Sequence, residues 1–134
     1  MIASPAVLYG IRNCDTMKKA RAWLDANGVP YIFHDYKVQG VDRGRLEGWA
    51  KRVGWETLLN RAGTTFRKLP AMDKENLGER KVIELMLAQP SMIKRPVLER
   101  DDELLVGFVP GRYWTLNSLK HLLDVKNQIQ EGGL

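Results

Sequence analysis

Hydrophobic positions divide the first third of the chain into short apolar runs and one helical stripe. The apolar run Ala6–Ile11 lies between polar or helix-breaking residues and predicts a buried strand. Apolar residues then recur at helical spacing over Thr16–Asn27, and Gly28 follows where a C-terminal cap glycine is expected. Tyr31–Tyr36 is rich in aromatic and β-branched residues, which favours a second strand. This order predicts a crossover unit that joins two parallel strands.

The middle of the chain, about residues 40–92, predicts helices. Asp42 can cap the first of them, and Trp55–Asn60 predicts a short second helix. Gly63–Met72 predicts a loop, after which Asp73 can cap a helix that runs to about Ala88. The inward faces of the two longer helices are expected to carry Leu46, Trp49, Ala50 and Val53, and Val82, Ile83 and Met86, respectively.

The final third returns to short strands and ends in a helix. Pro96–Glu99 and Leu104–Phe108 are strand candidates joined by an acidic turn, which indicates a hairpin. Thr115–Ile129 predicts the last helix. The whole order predicts an α/β fold with a mixed four-stranded sheet, flanking helices and a helical insertion. That insertion separates a strand-helix-strand half from a strand-strand-helix half, within a single domain over residues 1–134.

Composition restricts the cellular compartments and the kinds of partner that are expected for the chain. No apolar run approaches the roughly 20 residues that cross a bilayer, and no secretory leader is evident, so a cytoplasmic protein without a membrane partner is expected. One cysteine cannot form an internal disulfide. The net charge of +5 comes from basic residues that are scattered in pairs. A nucleic-acid site is therefore not expected, although a weak nucleic-acid contact or an anionic small substrate both remain open.

Cys14 is the candidate reactive group. It lies between a predicted strand and a predicted helix, where unpaired backbone N–H groups and the helix dipole stabilise a thiolate. Arg12, Lys18 and Lys19 add positive charge nearby. The alternative is an inert buried cysteine, but the polar neighbours of Cys14 favour a turn over an apolar core.

Two histidines and one proline are further features with a possible role at the thiol. His34 and His121 lack metal-ligand spacing with Cys14, so no metal site is expected, and each histidine is better explained by surface or packing roles. Lys94-Arg95-Pro96 opens the hairpin, where a cis-proline would present Arg95 to the thiol. Because few X–Pro bonds are cis, the sequence by itself favours an ordinary trans loop.

Three segments resemble the arsenate reductase family of thioredoxin-like proteins, the group that contains ArsC, Spx and YffB. The segments are LYGIRNCDTMKKARAWL at Leu8–Leu24, LLNRAGTTFRKL at Leu58–Leu69 and IKRPVLE at Ile93–Glu99. The resemblance spans nearly the whole chain, is nearest to the YffB branch and implies a thioredoxin-like fold.

The resemblance also implies roles for individual residues. Cys14 matches the family's nucleophilic cysteine, and Arg95 matches an arginine that binds an oxyanion or polarises the thiolate. Pro96 matches the proline that is cis in thioredoxin-like folds. The residues expected to surround the thiol or receive substrate are Asn13, Thr16, Lys18 and Arg61.

Departures from the family pattern help to choose among the functions known in the family. Met17 replaces the second cysteine of Spx-type Cys-x-x-Cys pairs, and Gly10 replaces the histidine that glutathione-coupled arsenate reductases place four residues before the cysteine. Of the three arginines around the oxyanion in those enzymes, only Arg95 matches, since Asn60 and Gly107 lie at or near the other two positions. The first hypothesis is thus a glutathione-dependent thiol reductase with Cys14 as thiolate nucleophile, no bound cofactor, and glutathione or another small thiol as co-substrate.

Two alternatives follow from the same resemblance. One is an arsenate or related oxyanion reductase. The other is an Spx-like regulator whose protein partner is RNA polymerase.

Overall fold

The computed structural model describes residues 5–113 and Leu116. Its strands are β1 (Ala6–Gly10), β2 (Tyr31–Asp35), β3 (Val97–Arg100) and β4 (Glu103–Val106). Its α-helices are α1 (Asp15–Ala26), α2 (Tyr36–Gln39), α3 (Arg43–Val53), α4 (Trp55–Leu58), α5 (Thr64–Arg67), α6 (Ala71–Lys74), α7 (Glu79–Ala88) and α8 (Pro110–Tyr113). A 3₁₀ turn covers Pro90–Met92.

The four strands form one mixed sheet in the order β2-β1-β3-β4. β1 pairs in parallel with β2, as the crossover unit requires, and antiparallel with β3. β3 and β4 form the predicted hairpin, whose turn places Asp101 at φ +52°. This arrangement confirms the predicted α/β, thioredoxin-like fold with flanking helices.

The two faces of the sheet bury different parts of the chain because side chains alternate along a strand. On one face, Leu8 and Leu98 pack with the buried stripe of α1, which consists of Met17, Ala20 and Leu24. On the other face, Tyr9 and Val97 pack with the inner sides of the insertion helices. The apolar stripe of α1 therefore covers one face of the sheet, and the insertion covers the other.

The insertion confirms the predicted inward faces of its two longer helices. Asp42 caps α3, since its Oδ2 accepts a hydrogen bond from the Arg45 backbone N–H at 2.8 Å. Leu46, Trp49 and Ala50 of α3 are buried in one cluster with Val82, Ile83 and Met86 of α7, and Val53 packs against that cluster.

The structure corrects three expectations for the insertion. The short helix expected over Trp55–Asn60 is present but ends at Leu58, because Leu59 forms an isolated bridge with Ile93. The expected loop Gly63–Met72 contains α5 and the start of α6, single turns too short to show a helical period. Asp73 does not cap the long helix, as described next.

The helix that Asp73 was expected to cap begins five residues later, at Glu79, with Gly78 in the cap position. Asp73 lies inside the single turn α6, which ends at Lys74. Asn76 then takes φ +51°, in the left-handed region, and a right-handed helix cannot pass through that conformation.

Two other differences concern the flanks of the fold. β2 ends at Asp35, whose side chain accepts from the Lys37 backbone N–H at 2.9 Å and starts the short helix α2, which was not expected. The predicted last helix, Thr115–Ile129, lies outside the described residues except for Leu116, which is buried. Among the described helices, none has the length and apolar character needed to cross a membrane.

Candidate active site

Cys14 occupies the N-cap position of α1, as the sequence predicts. Its backbone is extended (φ −140°, ψ 131°), and its carbonyl oxygen accepts the first helical hydrogen bond, from Lys18 N–H at 3.0 Å. The Cys14 side chain is half-buried. The sulfur therefore stands at the positive end of the helix with access to solvent.

The surroundings of Cys14 lower its pKa below the ordinary thiol value. Burial is the largest single influence and raises the pKa, but hydrogen bonds outweigh it. The donors are the backbone N–H of Met17, the Arg95 side chain and the backbone N–H of Thr16, and the charge of Arg95 adds to their effect. The thiolate is thus stabilised by the helix end and by one guanidinium, whereas Arg12, Lys18 and Lys19 are not among the groups that shift it.

Arg95 is held beside the thiol by the turn that precedes β3. Its Nη1 donates to the Ser91 carbonyl oxygen at 3.0 Å, and the Ser91 hydroxyl is hydrogen-bonded to the Thr65 hydroxyl at 2.7 Å. The Arg95–Pro96 peptide bond is cis, as the family resemblance implies, and Pro96 is buried. A contact between α5 and the 3₁₀ turn therefore supports the arginine.

An open pocket of about 460 Å³ lies over Cys14 and Arg95. It is lined by Cys14, Thr16, Asn60, Lys94, Arg95, Val106, Gly107, Phe108, Val109 and Arg112. Three of these side chains are cationic, and none of the described residues that line the pocket is acidic. The pocket therefore combines a nucleophile with a positive, partly apolar wall.

Two backbone contacts bring distant segments to this pocket. Asn60 N–H donates to the Met92 carbonyl at 2.8 Å and Lys94 N–H to the Leu58 carbonyl at 2.7 Å, on either side of the bridge between Leu59 and Ile93. The insertion is thereby joined to the approach of β3.

The other side of the opening is fixed by Gly107. Its N–H donates to the Pro96 carbonyl at 2.8 Å, and its φ of +78° suits glycine. A Cβ on Gly107 would stand 3.6 Å from Cε of Lys94, so the Lys94 side chain lies against Gly107 in the pocket lining.

The structure brings together some of the predicted site residues and separates others. Thr16 and Arg95 line the pocket with Cys14. Asn13 and Lys18 are exposed and are not part of the lining. The guanidinium of Arg61 lies over the Trp55 ring, 5.9 Å from its centroid, and also falls outside the lining.

Sequence reasoning missed two cations of the pocket, Lys94 and Arg112. Lys94 adjoins Arg95 in the IKRP segment, so the motif itself was a signal for it. Arg112 lies in α8, and its place in the pocket depends on the path of the chain after β4, for which no local pattern exists.

Gly10 and Met17 fit against each other beneath the thiol. Both are buried, and a Cβ built on Gly10 would stand 2.3 Å from Sδ of Met17 and 2.8 Å from its Cε. The methionine therefore fills the space that a side chain at position 10 would need. The departure at position 10 from the arsenate reductase pattern and the departure at position 17 from the Spx-type pattern are therefore one packing arrangement.

The sequence predicts no metal site at the two histidines, and their surroundings can be compared with that expectation. No group of three or more potential ligands among histidine, cysteine, aspartate and glutamate comes together in the part of the chain that the structure describes. His34 donates through Nε2 to the Gly40 carbonyl at 2.8 Å and packs its ring against Tyr9 and Tyr36. His121 lies outside the described residues.

A family model and two sequence relatives indicate which family the chain resembles. The model of the ArsC family matches residues 9–116. An uncharacterised protein of Haemophilus influenzae is 37% identical over 106 residues, which cover 79% of this chain and 93% of that protein. The global transcriptional regulator Spx 1 of Lactococcus lactis is 29% identical over 75% of this chain and 80% of its own length.

Solved structures agree with this assignment. A YFFB protein is 61% identical, with a TM-score of 0.82 over 84% of this chain and 99% of its own. An arsenate reductase (ArsC) related protein from Brucella melitensis is 58% identical, with a TM-score of 0.69 over 84% of this chain and 93% of its own.

Proposed function

The chain belongs to the ArsC family. We propose that it is a thiol reductase that uses Cys14 to reduce mixed disulfides between glutathione and a small substrate, with glutathione as the reductant. The observation that carries this proposal is the pocket of about 460 Å³ in which an activated thiol faces Lys94, Arg95 and Arg112. Its volume falls in the range of pockets that take organic ligands. A tetrahedral oxyanion would fill only a small part of it.

The charge of the pocket suits glutathione. The tripeptide carries two carboxylates, and charge-assisted hydrogen bonds to lysine or arginine are stronger than neutral ones. Lys94 and Arg112 line the same pocket as Cys14, and Arg112 lies in α8. We assign them to the glutathione carboxylates, for which the sequence alone predicts Arg95, Arg61 or Lys18 as partners.

The reaction balances with one protein thiol. The Cys14 thiolate attacks the glutathionyl sulfur of a mixed disulfide, the S–S bond breaks, and the substrate leaves as a thiolate that takes a proton from solvent. A glutathione thiolate then attacks the Cys14–glutathione disulfide, releasing the Cys14 thiolate and oxidised glutathione. Glutathione is oxidised and the substrate is reduced by two electrons, with no second protein cysteine involved.

The test is turnover of a small glutathionylated substrate with glutathione as sole reductant. The native protein should turn over and should form a glutathione adduct on Cys14 that mass spectrometry detects, whereas Cys14→Ser should do neither. Equal rates for the two proteins would end the proposal. Turnover only when a thioredoxin is supplied would keep Cys14 as nucleophile and replace glutathione as the reductant.

Oxyanion reduction is the second candidate, because the 58% identical Brucella melitensis protein is described as related to arsenate reductase. Arg95 stands beside the thiol as such a reaction needs, but Asn60 and Gly107 offer no guanidinium at the other two family positions. Adding arsenate together with glutathione distinguishes the two candidates. We expect the native protein to form arsenite no faster than Cys14→Ser does. Membership of a family that includes Spx regulators leaves binding to RNA polymerase as a prediction.

A further inference from the structure

Asn60 contributes a side-chain amide to the pocket over Cys14, and the proposed reaction does not use it. The backbone of Asn60 has a structural role, because its N–H donates to the Met92 carbonyl oxygen at 2.8 Å, beside the bridge between Leu59 and Ile93. Any residue except proline can make that hydrogen bond. The side chain is half-buried and lines the pocket, and its amide has no hydrogen-bond partner among the described residues. The amide is thus available to a molecule that enters the pocket.

Gly63 leaves the space that this amide occupies. A Cβ built on Gly63 would stand 2.6 Å from Nδ2 of Asn60 and 3.2 Å from its Cγ, so one of the two groups would have to move. Gly63 holds the N-cap position of α5 with φ −71°, a conformation that any residue can adopt. The backbone therefore does not require glycine there, and the lack of a side chain at position 63 is what lets the Asn60 amide lie where it does.

The polar groups of the pocket complement a short anionic peptide. Lys94, Arg95 and Arg112 supply positive charge, and Asn60 supplies the one side-chain amide among the described residues of the lining. An amide offers a donor and an acceptor, which match the carbonyl oxygen and the N–H of a peptide unit. Cations attract small anions of many kinds. The amide adds a preference for anions that also carry peptide groups.

We propose that Asn60 is a specificity-determining residue, which hydrogen-bonds a peptide group of the glutathionyl moiety while Cys14 attacks its sulfur. The inference rests on the proposed function, because it takes a glutathione disulfide as the substrate class. A site that hydrogen-bonds a polar group of its substrate discriminates against molecules that lack the group, since the site is then left unpaired.

The experiment compares the reactions of Cys14 with two disulfides that carry the same net charge at neutral pH. Oxidised glutathione contains peptide groups, and dithiodipropionate contains none. In each reaction the Cys14 thiolate attacks one sulfur, the S–S bond breaks, and half of the reagent leaves as a thiolate that takes a proton from solvent. Mass spectrometry follows the adduct on Cys14. The rate constant for oxidised glutathione divided by that for dithiodipropionate cancels any change in the reactivity of the thiol itself.

Asn60→Ala should lower this ratio roughly two- to tenfold, as the loss of one hydrogen bond does. Gly63→Ala should lower it in the same direction, because the new Cβ displaces the amide. Asn13→Ala is the matched control. Asn13 adjoins Cys14 in the sequence but is exposed and outside the pocket lining, so its substitution should leave the native ratio. Thermal unfolding checks that the three variants fold like the native protein.

The proposal is overturned if Asn60→Ala keeps the native ratio, or if Asn13→Ala lowers the ratio as far as Asn60→Ala does. It is also overturned if the native ratio does not exceed that of the free thiol N-acetylcysteine with the same two reagents. No reductive step is involved, so this outcome is separate from that of the proposed function. A ratio that falls in Asn60→Ala, in a protein that glutathione fails to turn over, would keep Asn60 in its role and replace glutathione as the reductant.

Discussion

The two walls of the pocket are built in different ways. The thiol wall, Cys14 and Thr16, follows β1 directly and is fixed by the start of α1. The cationic wall, which consists of Asn60, Lys94, Arg95 and Arg112, is assembled from three separate segments of the chain. Hydrogen bonds between the insertion and the residues before β3 hold two of those segments together.

This difference separates reactivity from selectivity. A nucleophile at a helix N-terminus depends on local geometry and survives changes elsewhere in the chain. The cationic wall depends on the insertion, so changes there can alter which substrate binds without moving the thiol. Arg95 is the exception, since it belongs to the cationic wall and also stabilises the thiolate.

The largest expected effect is on stability and comes from a substitution at Gly10, which packs against Met17 in the first turn of α1. Gly10→Ala should lower the free energy of unfolding by about 1–3 kcal/mol, because the new Cβ collides with the buried Met17 side chain. In a Met17→Ala background, the same change should cost little. Chemical denaturation of the four proteins in this cycle measures the coupling.

Gly48→Ala is the control for the glycine change. A Cβ at Gly48 in α3 meets nothing within 4 Å, so alanine there should stabilise the protein by roughly 0.5–1 kcal/mol. An equal cost for Gly10→Ala with and without Met17 would show that the contact between them does not matter.

The next effect removes the one cation that the two walls share. Arg95→Ala should slow alkylation of Cys14 at neutral pH by about tenfold, since a hydrogen bond to a charged group contributes about 1.5 kcal/mol or more. The midpoint of the pH profile should rise, because a positive charge and a donor leave the thiolate.

Arg61→Ala is the matched comparison for Arg95. Its guanidinium rests on Trp55 and lies outside the pocket lining, so the alkylation profile should not move. Equal profiles for Arg95→Ala and the native protein would remove Arg95 from the site.

A smaller effect on stability tests whether the insertion and the reactivity of the thiol are independent. Asp42→Ala should lower the free energy of unfolding by about 1 kcal/mol, because it removes the cap of α3. The alkylation profile of Cys14 should stay unchanged. Asp73→Ala, which removes an aspartate that caps no long helix, should cost clearly less. A shifted thiol profile in Asp42→Ala would contradict the independence of the thiol wall.

These two aspartates also show what the sequence can and cannot predict. Asp42 and Asp73 carry the same local signal, an acidic residue before an amphipathic stretch. Asp42 caps its helix, whereas the turn at Asn76 ends the helical path after Asp73. The left-handed conformation of Asn76 is one of several that its local sequence permits, and the tertiary structure selects it.

The residues of the candidate site likewise fall into those that local sequence predicts and those that depend on tertiary contacts. Periodicity and glycine placement predict β1, α1 and the turn between them, and with these the position of Cys14. The family resemblance adds Arg95. The contributions of Asn60 and Arg112 depend on long-range contacts, which a single sequence does not display. Local reasoning chose Lys18 and Arg61 because they are near in sequence to Cys14 or to a family position.

The smallest expected effect concerns the pH dependence of stability, which ties the two walls together. The folded protein holds the pKa of Cys14 below the value of an unfolded thiol. Between those two pKa values, the folded thiol has lost its proton and the unfolded thiol has kept it. The unfolded state then binds more protons, so the free energy of unfolding rises with pH across this window and levels off on either side.

Cys14→Ser should lack that rise, and its pH curve should diverge from the native curve only within the window. Serine is also a favourable N-cap residue, so it should add a constant offset that does not depend on pH. Arg95→Ala should keep part of the rise, because the N–H groups of Thr16 and Met17 still stabilise the thiolate. The part that remains measures the contribution of the helix end, and the part that is lost measures that of the cationic wall. Parallel curves for the native protein and Cys14→Ser would show that folding does not favour the thiolate, and both walls would then lose their proposed role in activating the thiol.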